Sequence, residues 1–237
     1  MENKEIKIRA SQSYKLITEP KLKIDKELGN LSKTTKTYIE ELWLENNFGY
    51  KEPIMTEEMM KGLLCEQDSL ALVQKILGGE FRIKNTKNYK NDLITGTPDI
   101  IIEDEKINED VKCSFSIKTF FKANINEDEI CENYFWQGQC YMALTGAKKY
   151  RLIYCLVQTP DSIIVELKKR IYYKFDCDET NKDYQQMSEQ IEMNHNIKDI
   201  SEEKRIKVFE FDYDQSKINF LYSKIHKARE YYKSLKI

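Results

Sequence analysis

Apolar residues along this chain recur at helical spacing in some stretches and at strand spacing in others. Ser11 has the chemistry of a helix N-cap and opens a predicted short helix, Ser11 to Ile17. Ser32 precedes a helical pattern carried by Tyr38, Ile39, Leu42 and Trp43, and Pro53 breaks the chain after it. Thr56 is the predicted cap of one long helix running to about Leu77, with Met59, Met60, Leu63, Leu64, Leu70, Leu72 and Val73 as its apolar faces and Gly78-Gly79 as its stop. Residues 81–84, 93–95, 98–102 and 108–113 read as strands. A helix follows from about Glu127 to Leu144, ended by Gly146, and then a buried-type strand from Tyr150 to Val157. Pro160-Asp161 starts a helix with Ile163, Ile164, Leu167 and Ile171 on one stripe. Residues 178–204 are polar and helical in character, Ile206 to Tyr213 alternates as a strand, and Gln215 to Leu235 closes the chain as a helix. This order predicts an α/β or α+β fold, a mixed β-sheet flanked by helices. Neither a repeat nor a Pro/Gly linker divides the chain. Residues 1–237 are therefore expected to form one domain, with an N-terminal helical segment over about 1–55 and a C-terminal strand and helix over about 206–237.

Composition narrows the function. The chain is 41% hydrophobic and 33% charged, as in water-soluble globular proteins. No apolar run approaches the roughly 18 residues that span a bilayer, and the first residues, Met1 to Lys7, lack an apolar signal core. A cytoplasmic protein with no membrane partner is expected. The six cysteines, Cys65, Cys113, Cys131, Cys140, Cys155 and Cys177, form no C-x-x-C pair and read as small apolar fillers. The two histidines, His195 and His226, give little support to a histidine metal site or to Ser-His-Asp chemistry. A net charge of −2 does not advertise a nucleic-acid binder. Local basic groups at Lys148, Lys149 and Arg151 and at Lys168, Lys169 and Arg170 are either solvated faces or DNA contacts.

The candidate chemistry lies in residues 96–112. Asp99 opens the apolar run Ile100 to Ile102, and after a polar turn a second strand ends in Asp110-Val111-Lys112. Residues two apart in a strand share a face, so Asp110 and Lys112 point one way while Val111 points into the packed side. A hairpin pairing brings Asp99 near Asp110. Two carboxylates beside an ammonium suit a hard divalent cation and an activated water; an acidic solvated edge has the same pattern. Upstream, Glu66 falls mid-helix among Leu63, Leu64 and Leu70. Downstream, Gln137 and Tyr141 stand one helical turn apart, and a buried amide there needs a hydrogen-bond partner.

In this order the residues resemble the PD-(D/E)xK nuclease superfamily, and within it the phage lambda exonuclease and YqaJ-like viral recombination nucleases. Gly62-x-x-x-Glu66, Thr97-Pro98-Asp99, Asp110-Val111-Lys112-Cys113, Tyr134-x-x-Gln137-x-Gln139 and Ile8-Arg9-Ala10-Ser11 carry the likeness, which runs from about Ile8 to Leu235. The resemblance implies a Mg²⁺-dependent exonuclease acting on the ends of linear duplex DNA in phage-type recombination, with Mn²⁺ as an alternative ion. Glu66, Asp99, Asp110, Lys112 and Gln137 would be catalytic. Asp99, Asp110, the Val111 carbonyl and Glu66 would hold metal, and Ser11, Arg9, Gln139 and Tyr141 would contact DNA. Lys112 would position the attacking water first and act as a base second. The resemblance also implies a ring-like homotrimer and a single-strand annealing partner. The sequence departs from the pattern in two places. Asp110 stands where close relatives often have Glu, and Arg9 lies nearer Ser11 than the pattern asks, with Lys4 as a substitute. The cysteines lack the grouping of iron–sulfur branches, so no cluster is expected. A restriction-like or structure-specific endonuclease, and a catalytically silent DNA- or protein-binding scaffold, are the alternatives.

Overall fold

The computed structural model describes residues 5–123, 129–175 and 179–236, leaving aside the side chains of 129–131. Lys4, Cys131 (as a side chain) and Cys177 lie outside the described residues. The chain enters through β1 (Ile8–Arg9) and turns at once into a 3-10 helix, Ala10–Leu16. Arg9 is the N-cap, and Ser11 lies inside the helix, exposed, rather than capping it. Ala10, Ser13 and Leu16 are buried at the three-residue spacing of this tighter helix. After α1 (Lys23–Glu27), α2 (Lys33–Phe48) starts as expected, with the Ser32 hydroxyl accepting the Thr35 N–H at 3.0 Å.

The long helix expected after Thr56 is two helices. Thr56 caps α3 (Glu57–Leu64), the chain leaves helical geometry at Cys65, and α4 (Glu66–Leu77) starts anew. The break lets α3 lean toward Phe115, whose carbonyl takes the buried Lys61 ammonium at 3.0 Å. Meanwhile α4 lays Ser69, Leu72 and Val73 on the sheet. Glu66 is thus the first residue of a helix, not a mid-helix residue.

Residues 81–84 form no strand. Phe81 and Ile83 are exposed, and Arg82 is turned inward to a buried Glu109. A buried carboxylate demands a partner more strongly than two apolar side chains demand burial. The strand lies later, at β2 (Tyr89–Lys90), antiparallel to β3 (Ile94–Gly96), which takes β1 in parallel on its other edge. The second sheet holds the centre. β4 (Ile100–Ile102) and β5 (Ile107–Cys113) form the expected hairpin, with Ile100 opposite Glu109. A capping box at Ser116 and Thr119 then starts α5 (Ile117–Lys122), which the apolar pattern does not announce. Next come α6 (Glu129–Thr145), β6 (Lys149–Cys155), α7 (Asp161–Phe175), α8 (Lys182–His195), a 3-10 turn Glu202–Arg205, β7 (Ile206–Asp212) and α9 (Gln215–Ser234). The sheet order is β4-β5-β6-β7, with β5 and β6 parallel and the other pairs antiparallel.

Helices cover both faces of this sheet. On one side α6 packs Trp136, Cys140 and Met142 into a core shared with Ile8, Leu16, Ile39, Tyr150, Leu152 and Ile225. On the other, Cys65, Leu72 and Val73 meet Ile153, Cys155 and Val157. The buried Cys65, Cys140 and Cys155 therefore act as apolar filling, and Cys113 is half-buried. Gly138 lets α6 approach the sheet, because a Cβ there would lie 2.1 Å from the Tyr150 ring. The basic groups considered for DNA contact are engaged within the chain. Arg151 bonds Glu109 and Glu210, Lys149 faces Glu210 and Asp212, and Lys148 lies over the Tyr213 ring. Lys168, Lys169 and Arg170 pair with Glu192, Glu166 and Glu57. Among the described residues no helix is long and apolar enough to cross a membrane.

Candidate active site

Alternation along β5 sorts its residues between the two layers. Glu109 and Val111 face α4, and Asp110 and Lys112 face α6. Asp110 is fully buried, and polar side chains from three elements converge on it. The Lys112 ammonium donates to Oδ1 at 2.6 Å, while the Gln137 amide and the Tyr150 hydroxyl donate to Oδ2 at 2.9 and 3.0 Å. Gln137 comes from α6 and also donates to the Tyr141 hydroxyl at 3.0 Å. Lys112 lies 3.5 Å from Asp99 Oδ2, as the hairpin predicts, and sits over the Tyr134 ring. Asp99, Asp110, Lys112, Gln137 and Tyr141 are thereby brought together.

The charges in this cluster push one another apart in acidity. Burial, and then the neighbouring Asp110, raises the Asp99 carboxyl to about 7. Burial also works against ionised Asp110. It is outweighed by the Lys112 charge and by hydrogen bonds from Asp99, Lys112 and Tyr150, which hold Asp110 below the usual carboxylate range. For Lys112, burial is outweighed by Asp110 and Asp99, so its pKa is raised and the side chain stays an ammonium.

The residues suit a hard divalent cation. Two carboxyls stand side by side with one ammonium, and burial together with the ionised Asp110 favours a proton on Asp99. Asp110 offers about four lone-pair positions, and the hydrogen bonds from Lys112, Gln137, Tyr150 and Asp99 fill them in the metal-free molecule. The Asp99 proton is the one a cation would displace. The Val111 carbonyl would offer a further oxygen. Ser114 N–H donates to the Cys155 carbonyl, so alternation of the parallel ladder turns the Val111 carbonyl away from β6. On its other side β4 begins only at Ile100, and two residues earlier Pro98 has no N–H to give.

Glu66 stands off from this centre. Among the described residues no three His, Cys, Asp or Glu side chains gather as a metal-binding group. The Glu66 carboxylate is ion-paired with Lys84, whose charge also acts on Asp99, so Glu66 meets the site through an ammonium rather than as a direct ligand. Gln139 does not join the site either. It is fully buried, its amide N–H donates to the Asp212 carbonyl at 2.8 Å, and its Oε1 accepts the Asp214 N–H at 2.8 Å. Tyr141 is also buried, supporting Gln137 rather than lying open to DNA. Ser11 is exposed on the flank of the site. A Cβ on Gly96 would lie 2.8 Å from both the preceding Ala10 and the Tyr141 ring, so these three meet closely. Arg9, half-exposed, is ion-paired with Glu45.

Several residues of the site went unread in the sequence. Tyr150 looks like an ordinary buried aromatic, and only the β5–β6 register sets it beside Asp110. Glu109, Arg82 and Arg151 form a buried ion-pair group on the reverse face of β5. The signal available for it was a carboxylate inside a strand that had to be covered on both faces.

No family model and no curated protein matches the chain. Solved structures do. A phage-related exonuclease from Haemophilus somnus 129PT superimposes with a TM-score of 0.75 at 25% identity, over 96% of this chain and 94% of that one. An alkaline exonuclease from Laribacter hongkongensis gives a TM-score of 0.62 at 14% identity, over 96% of this chain and 88% of that one, and is also known in complex with dAMP with the same figures. The chain shares the fold of these exonucleases, consistent with the resemblance to the lambda-exonuclease and YqaJ-like nucleases.

Proposed function

We propose that this chain is a metal-dependent deoxyribonuclease that hydrolyses phosphodiesters from the ends of linear duplex DNA. The observation that carries the reading is the convergence of Asp99, Asp110 and Lys112 at the open end of a hairpin, in a fold whose solved neighbours are exonucleases along nearly their whole length. The neighbour solved with dAMP supports a nucleotide as the ligand class.

Asp99, Asp110 and the Val111 carbonyl would hold Mg²⁺, or Mn²⁺ in its place, with Glu66 joining through an intervening group. When bound, the ion supplies a Lewis acid for the scissile phosphate and acidifies a water. The chain's own residues do the remaining work. Lys112 would donate hydrogen bonds and offset charge on the phosphate, positioning the attacking water first and acting as a base second. Gln137 and Tyr150 fix Asp110 in one orientation, and Tyr141 fixes Gln137. Burial of Asp110 keeps bulk water from screening these charges. Ser11, exposed next to the Ala10 that meets Gly96 and Tyr141, would contact a strand end. A role in phage-type recombination is part of this proposal.

The test is digestion of a linear duplex labelled separately at each end, alongside closed circular DNA. Loss of the linear duplex from an end in Mg²⁺, with the circle intact and chelator blocking the reaction, is expected. Cutting of the circle would replace the exonuclease with an endonuclease on the same centre. Inertness on both substrates would reject the nuclease reading.

A further inference from the structure

Asp99 is poorly held by its own strand. Ladder pairing begins at Ile100, Pro98 has no N–H, and the Asp99 side chain is 32% exposed. The Pro98-Asp99 backbone therefore takes no anchor from the β4–β5 ladder. Residues 79–88, an irregular strap outside the motifs read from the sequence, supply one. The Asn85 N–H donates to the Asp99 carbonyl at 2.7 Å, and the Asn85 amide Nδ2 donates to the Pro98 carbonyl at 2.9 Å. The same Nδ2 donates to the Lys87 carbonyl at 3.0 Å, and Oδ1 accepts the Lys87 N–H at 3.0 Å. Two carbonyls on one end and an N–H on the other fix the amide's orientation, since a flip would set oxygen against oxygen. Three residues upstream, the buried Arg82 guanidinium bonds Glu109 at 2.7 and 3.3 Å and the Gly78 carbonyl at 2.8 Å. Glu109 is the β5 neighbour of Asp110. Asp110 is therefore placed by β5 directly, and Asp99 by the route Glu109, Arg82, Asn85 to the segment just ahead of β4.

We propose that Asn85 is the positioning residue for Asp99: its amide clamps the Pro98-Asp99 backbone to a strap anchored on Glu109, and so presets the spacing of the two carboxylates that would hold a divalent cation. This rests on the reading of Asp99 and Asp110 as the metal site. Preorganised ligands do not have to be gathered against their own repulsion when the ion arrives, and loss of an outer partner of a ligating carboxylate typically weakens metal binding about 10–100-fold.

The experiment is calorimetric titration of Mn²⁺ into the metal-free protein without DNA, with wild type, Asn85→Ala, Asn85→Ser and Asp99→Ala. Serine keeps a hydroxyl able to accept the Lys87 N–H and support the local turn but cannot reach Pro98, so it separates the turn from the clamp. Thermal midpoints and circular dichroism check folding. Both Asn85 variants are expected to weaken Mn²⁺ binding by about 10-fold or more. In DNA digestion the Mg²⁺ midpoint should rise, KM for DNA should stay unchanged, and kcat should be largely recovered at saturating Mg²⁺. Wild-type Mn²⁺ affinity in a folded Asn85→Ser protein, with Asp99→Ala unable to bind, would overturn this inference alone. Wild-type affinity in Asp99→Ala would instead remove the metal-site reading beneath it. Failure of both Asn85 variants to fold would show a general structural role and overturn positioning as well.

Discussion

Asp110 has no solvent exposure and is nevertheless held ionised, which is a matter of donors. Lys112, Gln137 and Tyr150 aim hydrogen bonds at its two oxygens, and charged acceptors gain more from each donor than neutral ones do. Tyr150→Phe keeps the ring and removes one donor, so it should cost about 1.5–3 kcal/mol in urea unfolding. Asp99 runs the other way. Its carboxyl is raised to about 7, against roughly 3.9 in an unfolded chain. Between those values the native state binds the extra proton, so this residue's contribution to stability falls as pH rises from about 4 to about 7 and is constant above. Asparagine at the position cannot titrate. The stability of wild type relative to Asp99→Asn, followed by urea unfolding in chelator, should decline across that window, and a flat difference would contradict the shared-proton description. Mg²⁺ has to displace the same proton, so the thermal stabilisation it gives should be larger at pH 8 than at pH 6.

At the scale of elements, the site depends on how closely α6 approaches β6. Gly138 permits it, and Gly138→Ala would drive a methyl group into the Tyr150 ring that holds Asp110. A loss of about 1–3 kcal/mol is expected, together with a drop in nuclease rate; thermal unfolding and digestion assays read the two. On the reverse face, Arg82→Ala should cost up to about 3 kcal/mol, the low end for a broken buried pair, because Arg151 still holds Glu109. The comparison between these faces shows what the sequence made legible. The hairpin was readable because Ile100 to Ile102 and Asp110-Val111-Lys112 carry a strand period and a charge pattern in one short stretch. The caps Ser32 and Thr56 were readable for the same reason, since a cap is local chemistry. The strap at 79–88 was not. Phe81 and Ile83 alternate as a strand would, and what turns them outward is the need of Glu109 for Arg82, a requirement set 27 positions downstream. The break at Cys65 escaped notice likewise, because residues on both sides of it keep helical spacing, while Lys61 must reach Phe115 across the fold. Gln139, to which the resemblance gave a DNA contact, is buried, and the backbone at Asp212 and Asp214 satisfies its amide.

For the whole molecule, the likeness to solved exonucleases extends from the first strand to the last helix, not only over the hairpin. That extent matters because Asp99, Asp110 and Lys112 on the β4–β5 hairpin meet Gln137 of α6 and Tyr150 of β6 only in the complete arrangement. The account stands or falls on the ammonium and the two acids acting as one centre. The most direct measurement is the initial rate of linear duplex degradation in saturating Mg²⁺ for wild type and Lys112→Ala, with both proteins shown to be folded. The rate for Lys112→Ala should be lower by about 100-fold or more, the scale of losing a preorganised electrostatic donor. Equal rates for the two proteins would contradict the assignment of this centre.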